Sequence, residues 1–277
     1  MADKNPIGIF DSGVGGLTVL TEVKRKLPRE SIVYFGDTAR LPYGSKSPTE
    51  IIRYVEEILV WMQAQHTKMV IMACNTSSAL ALEALRDRFD FPILGVILPG
   101  ARAAVKVGQR IGVIATAATV NSGAYVQAIA ESCQESQKPL QVWQVACPAF
   151  VDLIESGKIN EPQTIQVAKA YIEPLLAAEI DTLVFGCTHY PHLAGVLRHL
   201  MPNVRFVDPA LSVVKAAGQE LEVLGLRQSS KNPAKAPVPV NFYVSGDPEQ
   251  FAYISSQWLG YTPLVEKVAM STVELLS

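Results

Sequence analysis

The sequence predicts an α/β protein of two similar, doubly wound parallel-sheet domains related by internal duplication, with an active site at their interface. Three observations carry this. Short, wholly apolar runs such as Val70–Met72 and Thr182–Phe185 alternate with stretches of helical period. That is the pattern of strands buried on both faces and joined by helices. The phrase VIMACNTSSAL at Val70–Leu80 returns as LVFGCTHYPHL at Leu183–Leu193, and Ile7-Gly8-Ile9-Phe10 returns as Ile111-Gly112-Val113-Ile114. Alternation of this length implies parallel sheets with right-handed crossovers.

In chain order, Ile7–Phe10 reads as a strand, the glycine-rich DSGVGG as its turn, and Leu17 to Leu27 as a helix. Ser31 to Phe35 is a second strand, followed by a loop carrying Pro42-Tyr43-Gly44. Ser47-Pro48-Thr49-Glu50 has capping-box spacing with proline at the first helical position, so a helix is expected from Thr49 to Gln65. Its apolar stripe is Ile51, Ile52, Val55, Ile58, Leu59 and Met62. The strand before Cys74, one helix over Ser77 to Arg88 and a strand over Pro92 to Ile97 close the first half. Pro99-Gly100 marks the boundary. The second half runs through Ile111–Ile114, Leu140–Val145, a helix ending near Gly157, a helix from Thr164 to Ala178 that Pro174 should kink, and the Cys187 strand. Pro191 suits the first turn of the helix that follows. After the strand Val204–Asp208 and another helix, Gln228–Pro239 is rich in Ser, Lys, Ala and Pro and reads as an exposed loop. Asn241–Ser245 is a late strand, and the final segment is expected to fold back onto the first half. The expected domains are therefore 1–98 plus 208–277, carrying Cys74, and 99–207, carrying Cys187.

The composition excludes several classes. With 277 residues, a net charge of −2 and 18% charged residues, no strong field recruits nucleic acid or an anionic membrane. No apolar run is long enough to span a bilayer, and MADKNP leads into a strand with no apolar signal core. Four cysteines without dense spacing fit a reducing cytoplasm.

Cys74 and Cys187 each stand where a parallel strand hands over to a helix, the edge at which open α/β sheets collect ligands. One catalytic cysteine would suggest a covalent hydrolase. Two on equivalent strand ends fit another task, inversion of a carbon centre, which needs a base on one face and an acid on the other. A thiolate and a thiol are such a pair. Helix N-termini favour the thiolate, and Asp11, Glu155 and His189 are candidate proton-managing neighbours. Asp11, Ser12, Tyr43, Gly44, Asn75, Thr76, Thr188 and His189 all lie at strand ends or in adjoining loops, which suit a small anionic substrate.

These segments carry a family resemblance. FDSGVGG, YFGDTARLPYG, ACNTSSA, CPAFVDLIESG and GCTHYPHL, in this order, resemble the glutamate racemases of the aspartate/glutamate racemase superfamily. The resemblance implies cofactor-independent interconversion of L- and D-glutamate, supplying D-glutamate for peptidoglycan. It implies Cys74 and Cys187 as the acid/base pair, Cys74 acting on D-glutamate and Cys187 on L-glutamate. Asp11, Glu155 and His189 would assist, and Asp11, Ser12, Pro42, Tyr43, Gly44, Asn75, Thr76, Thr188 and His189 would bind substrate. It also implies a homodimer.

Simpler readings stand beside these. Cys133 and Cys147 read as structural cysteines, Asp11 as a helix cap, and His66 and His199 as surface residues. A zinc site at Cys187, His189 and His192 lacks a clear fourth ligand, so no metal is expected. Thr18 stands where a dinucleotide fingerprint needs its last glycine. The rival enzyme is a racemase of the same superfamily acting on aspartate or another small amino acid, and the rival from another class is a small-molecule binding protein.

Overall fold

A computed structural model describes residues 4–134, 140–228 and 238–270. Its strands are β1 (Ile7–Asp11), β2 (Ile32–Gly36), β3 (Met69–Met72), β4 (Ile93–Gly95), β5 (Arg110–Ala115), β6 (Gln141–Ala146), β7 (Thr182–Gly186), β8 (Arg205–Val207), β9 (Val240–Val244) and β10 (Val265–Lys267). They form two wholly parallel sheets, ordered β10-β9-β2-β1-β3-β4 and β6-β5-β7-β8. The order β2-β1-β3-β4 is thus repeated as β6-β5-β7-β8. The last two strands add to the free edge of the first sheet, β9 lying along β2.

The strands β1, β2, β3 and β7 are buried from end to end because both faces of each sheet are covered there. Along β1, Ile7 and Ile9 enter a core shared between the sheets, while Phe10 enters a second core on the outer face. The shared core also takes Ile111, Val113 and Val184 of the second sheet, with residues from the helices Leu17–Lys26, Ile97–Val107 and Pro209–Val223. A third core covers the far face of the second sheet, around Ile114, Leu183 and Phe185. The helix Pro48–Ala64 starts on the expected capping box, with reciprocal Ser47 and Glu50 bonds, and buries Ile51, Val55, Ile58, Leu59 and Met62. Ile52 is only partly buried, and Tyr54 joins the buried face instead.

Three expectations are corrected. The single helix over Ser77–Arg88 is three short pieces, Asn75–Leu80, Leu82–Leu85 and Arg86–Arg88. The Ser78 hydroxyl donates back to the carbonyls of Cys74 and Met72, the kind of local bond that bends a helix. The strand before Pro99 is shorter than expected, and Pro99-Gly100 lies inside the first turn of the helix Ile97–Val107. A proline there gives up no intrahelical bond, and Gly100 packs tightly on Pro209. The expected helix around Pro174 is present as Pro162–Ala177. Of the proposed loop Gln228–Pro239, most lies outside the described residues. Among the described residues no helix is long and apolar enough to cross a membrane.

Candidate active site

The equivalent strands β3 and β7 of the repeated four-strand order lead to one cavity, and Cys74 and Cys187 line it. Its volume, about 360 Å³, falls at the small end of the ~300–1,000 Å³ typical of small-molecule sites. Ser12, Pro42, Tyr43, Gly44, Asn75, Thr76, Thr188 and His189 line it too. Asp11 and Glu155 stand one residue behind. Thr188 Oγ1 donates to Asp11 Oδ1 at 3.3 Å, and His189 Nε2 meets Glu155 Oε1 at 2.8 Å.

The two thiols are equally buried, 6% and 7% exposed, so accessibility does not distinguish them. Their neighbours do. Cys74 stands at the N-cap of the short helix Asn75–Leu80, within 4.0 Å of Ser12 Oγ and in hydrogen-bonding reach of Ser77. Burial, and after it the negative charge of Asp11, push its thiol up to about 12. The helix N-terminus expected to favour a thiolate loses to these effects. Cys187 instead lies 3.8 Å from His189 Nδ1. Burial works against a charged His189, but the bonds with Cys187 and Glu155, helped by the charges of Cys187 and Asp11, outweigh it and raise it to about 10. His189 is therefore an imidazolium at neutral pH, bracketed by a sulfur and a carboxylate.

Asp11 ends β1, fully buried, and accepts from the Gly13 amide at 3.0 Å. It is not the cap of the next helix, whose N-cap is Gly16. Burial makes it a weaker acid than an ordinary carboxyl, against the pull of His189 and the amides. The glycines of DSGVGG serve close approach between the halves: a Cβ on Gly15 would collide with Thr188 Oγ1 and His189 Nδ1. His192 turns to Trp258, ring centroids 4.0 Å apart, and burial together with the His189 charge lowers it to about 4. Among the described residues no three His, Cys, Asp or Glu side chains form a metal-binding group. Cys133 is half-buried in the helix Ala124–Gln134, and Cys147 is buried after β6. His66 and His199 are exposed.

Several site residues escape the sequence reading. Thr116 lines the cavity, and its hydroxyl joins those of Thr76 at 2.9 Å and Thr119 at 3.1 Å, tying the Cys74 helix to the end of β5. Extending the match of Ile7–Phe10 with Ile111–Ile114 by two residues sets Thr116 against Ser12, a signal that was there to use. Tyr125, which donates to Asn75 Oδ1 at 2.7 Å, comes from a helix with no motif.

The Asp/Glu/hydantoin racemase family model matches residues 15–217. The chain is 63% identical to the glutamate racemase of Microcystis aeruginosa, over 95% of this chain and 91% of that one. The crystal structure of glutamate racemase from Thermus thermophilus with β-chloro-D-alanine superposes with a TM-score of 0.87 at 37% identity, covering 99% of this chain and 100% of that one. That from Francisella tularensis with D-glutamate gives 0.88 at 33% identity, covering 98% and 100%. On its sequence, its paired parallel sheets and these relatives, the chain belongs to the Asp/Glu/hydantoin racemase family, among its glutamate racemases.

Proposed function

We propose that this chain interconverts L- and D-glutamate with two thiols, Cys187 serving one face of the α-carbon and Cys74 the other. The observation that carries the reading is two cysteines, delivered by equivalent strands of two sheets, lining one cavity. In the resting site the protonated His189 stands beside the Cys187 sulfur, while Cys74 is a thiol. The Cys187 thiolate removes the α-proton of L-glutamate, leaving a planar carbanion, and the Cys74 S–H delivers a proton to the opposite face. The product state holds a thiol on Cys187 and a thiolate on Cys74. From D-glutamate the same steps run backwards.

Ser12, Pro42, Tyr43, Gly44, Asn75, Thr76 and Thr188 hold the substrate, with hydroxyl and amide groups suited to its carboxylates. Asp11 steadies Thr188, and Glu155 steadies the His189 cation. Base and acid both come from the chain, so the reaction needs no cofactor. On the family likeness we place residues 1–98 with 208–277 in one domain and 99–207 in the other, and the enzyme in the cytoplasm as a homodimer supplying D-glutamate for peptidoglycan.

The test is an assay of purified protein with L-glutamate, D-glutamate and both aspartates, in chelator and without pyridoxal phosphate. Loss of optical rotation from either glutamate, with aspartate unchanged, is the expected result. Turnover of aspartate alone moves the substrate, and activity that depends on added zinc overturns the thiol-pair chemistry.

A further inference from the structure

Behind the loop that carries Pro42-Tyr43-Gly44 lies a buried polar cluster that the proton transfers do not use. Its centre is Asp37, fully buried just after β2. The Tyr43 hydroxyl donates to Asp37 Oδ2. Ser245, directly after β9, donates to Asp37 Oδ1 at 2.7 Å, and Arg40 Nε approaches Oδ2 at 2.7 Å. Arg40 continues to Glu57 at 2.5 Å and lies over the Tyr54 ring. The backbone is drawn in as well. The Asp37 amide donates to the Asp11 carbonyl at 3.0 Å, the Ala39 amide to Ser245 Oγ at 3.0 Å, and the Gly246 amide to Thr38 Oγ1 at 3.1 Å.

We propose that Asp37 is the positioning residue of the substrate loop, fixing Pro42–Gly44 at the cavity through the Tyr43 hydroxyl and registering that loop with the end of β9 through Ser245. A loop ordered in advance does not have to be ordered by the substrate, so the benefit falls on binding. The buried carboxylate can do this because its donors come from separate segments. Tyr43 belongs to the loop, Arg40 to the turn before it, and Ser245 to a strand some two hundred residues away in sequence. Burial, and the neighbouring Asp37 charge, hold the Tyr43 phenol well above its ordinary value, so it remains a donor throughout the working pH range.

The inference rests on the glutamate racemase reading, and its test separates the two. Tyr43→Phe removes one hydroxyl and keeps the ring, and Ser245→Ala removes the second donor. For Tyr43→Phe the KM for glutamate is expected to rise about tenfold with kcat changed less than about threefold, the signature of lost ground-state binding. Asp37→Asn should act likewise, and the double variant Tyr43→Phe/Asp37→Asn should be no worse than the poorer single one, because both cut one connection. Ser245→Ala should raise KM by about threefold. Hydrogen exchange of the amides of residues 41–46 in ligand-free protein should quicken in all three, a readout that needs no activity. If Tyr43→Phe and Ser245→Ala lower only the melting temperature and leave KM and loop exchange unchanged, Asp37 is a structural residue and the inference fails. Should the double variant lose the product of the single effects, the shared connection is refuted. A wild-type protein that does not racemise glutamate sinks the functional reading instead, and loop exchange then decides this one alone.

Discussion

Cys74 and Cys187 occupy equivalent places at the ends of β3 and β7, equally buried, yet one faces a carboxylate and the other an imidazolium. The difference arises two residues further along the chain. Thr76 follows Cys74 and shares hydroxyl hydrogen bonds with Thr116 and Thr119; His189 follows Cys187 and lies against the sulfur. A repeated scaffold therefore sets where the two thiols stand, and the residues beside them give each sulfur a different electrostatic neighbourhood. Racemisation needs both properties: symmetry of position, so that each thiol meets one face, and asymmetry of charge, so that one begins as base and the other as acid.

The largest expected effect comes from removing either thiol. Cys74→Ser and Cys187→Ser should each reduce racemisation by at least about 10³-fold, since a hydroxyl is a far weaker acid and base at this position. Measured rates with both enantiomers would decide it, and a variant that keeps near wild-type turnover would break the pairing.

His189→Asn should cost about 100-fold in racemisation. It should also slow alkylation of Cys187 at neutral pH, with Cys74 unaffected. Because the two enantiomers are equal in energy, kcat/KM must stay equal in the two directions, so the asymmetry is to be sought in modification rates and in kcat alone. Equal slowing of both cysteines would dissolve the contrast between the two sides.

How much of this contrast the sequence discloses follows from what kind of signal each part leaves. The strands and the cysteine pair are legible because burial on both faces forces apolar runs, and because the repeated phrase sets Cys74 against Cys187 in plain view. Glu155 is legible only through the family likeness, since a carboxylate in a last helical turn is usually a solvated one. Tyr125 and Trp258 are not marked by any local pattern, and Asp37 lies inside YFGDTARLPYG with no local sign of its partners. Their contacts join segments far apart in sequence, Ser245 to Asp37 and Trp258 to His192, and only the fold brings these together. The break in the helix after Cys74 is hidden likewise, because it turns on where the Ser78 hydroxyl donates.

A smaller effect is expected from Glu155→Gln. The Glu155 bond is one of the interactions holding His189 up near 10, so its loss should move the alkaline limb of kcat/KM to lower pH. An unmoved limb in a full pH profile would separate Glu155 from the Cys187 side.

The smallest effect is on stability. His189 titrates higher in the folded protein than its ordinary 6.5, so its contribution is fully present below about 6.5 and lost as pH rises toward 10. Melting temperatures across that window should fall further for the wild type than for His189→Asn. Parallel curves would mean that the imidazolium adds nothing to the folded state.

The most direct measurement asks which face each thiol serves. A β-chloro glutamate analogue eliminates once its α-proton passes to a thiolate and chloride leaves the β-carbon, so a single thiol suffices. With both configurations of that analogue, Cys74→Ser should act on the L-form through Cys187, and Cys187→Ser on the D-form through Cys74. Chloride release from the same enantiomer by both variants would contradict the assignment of one thiol to each face.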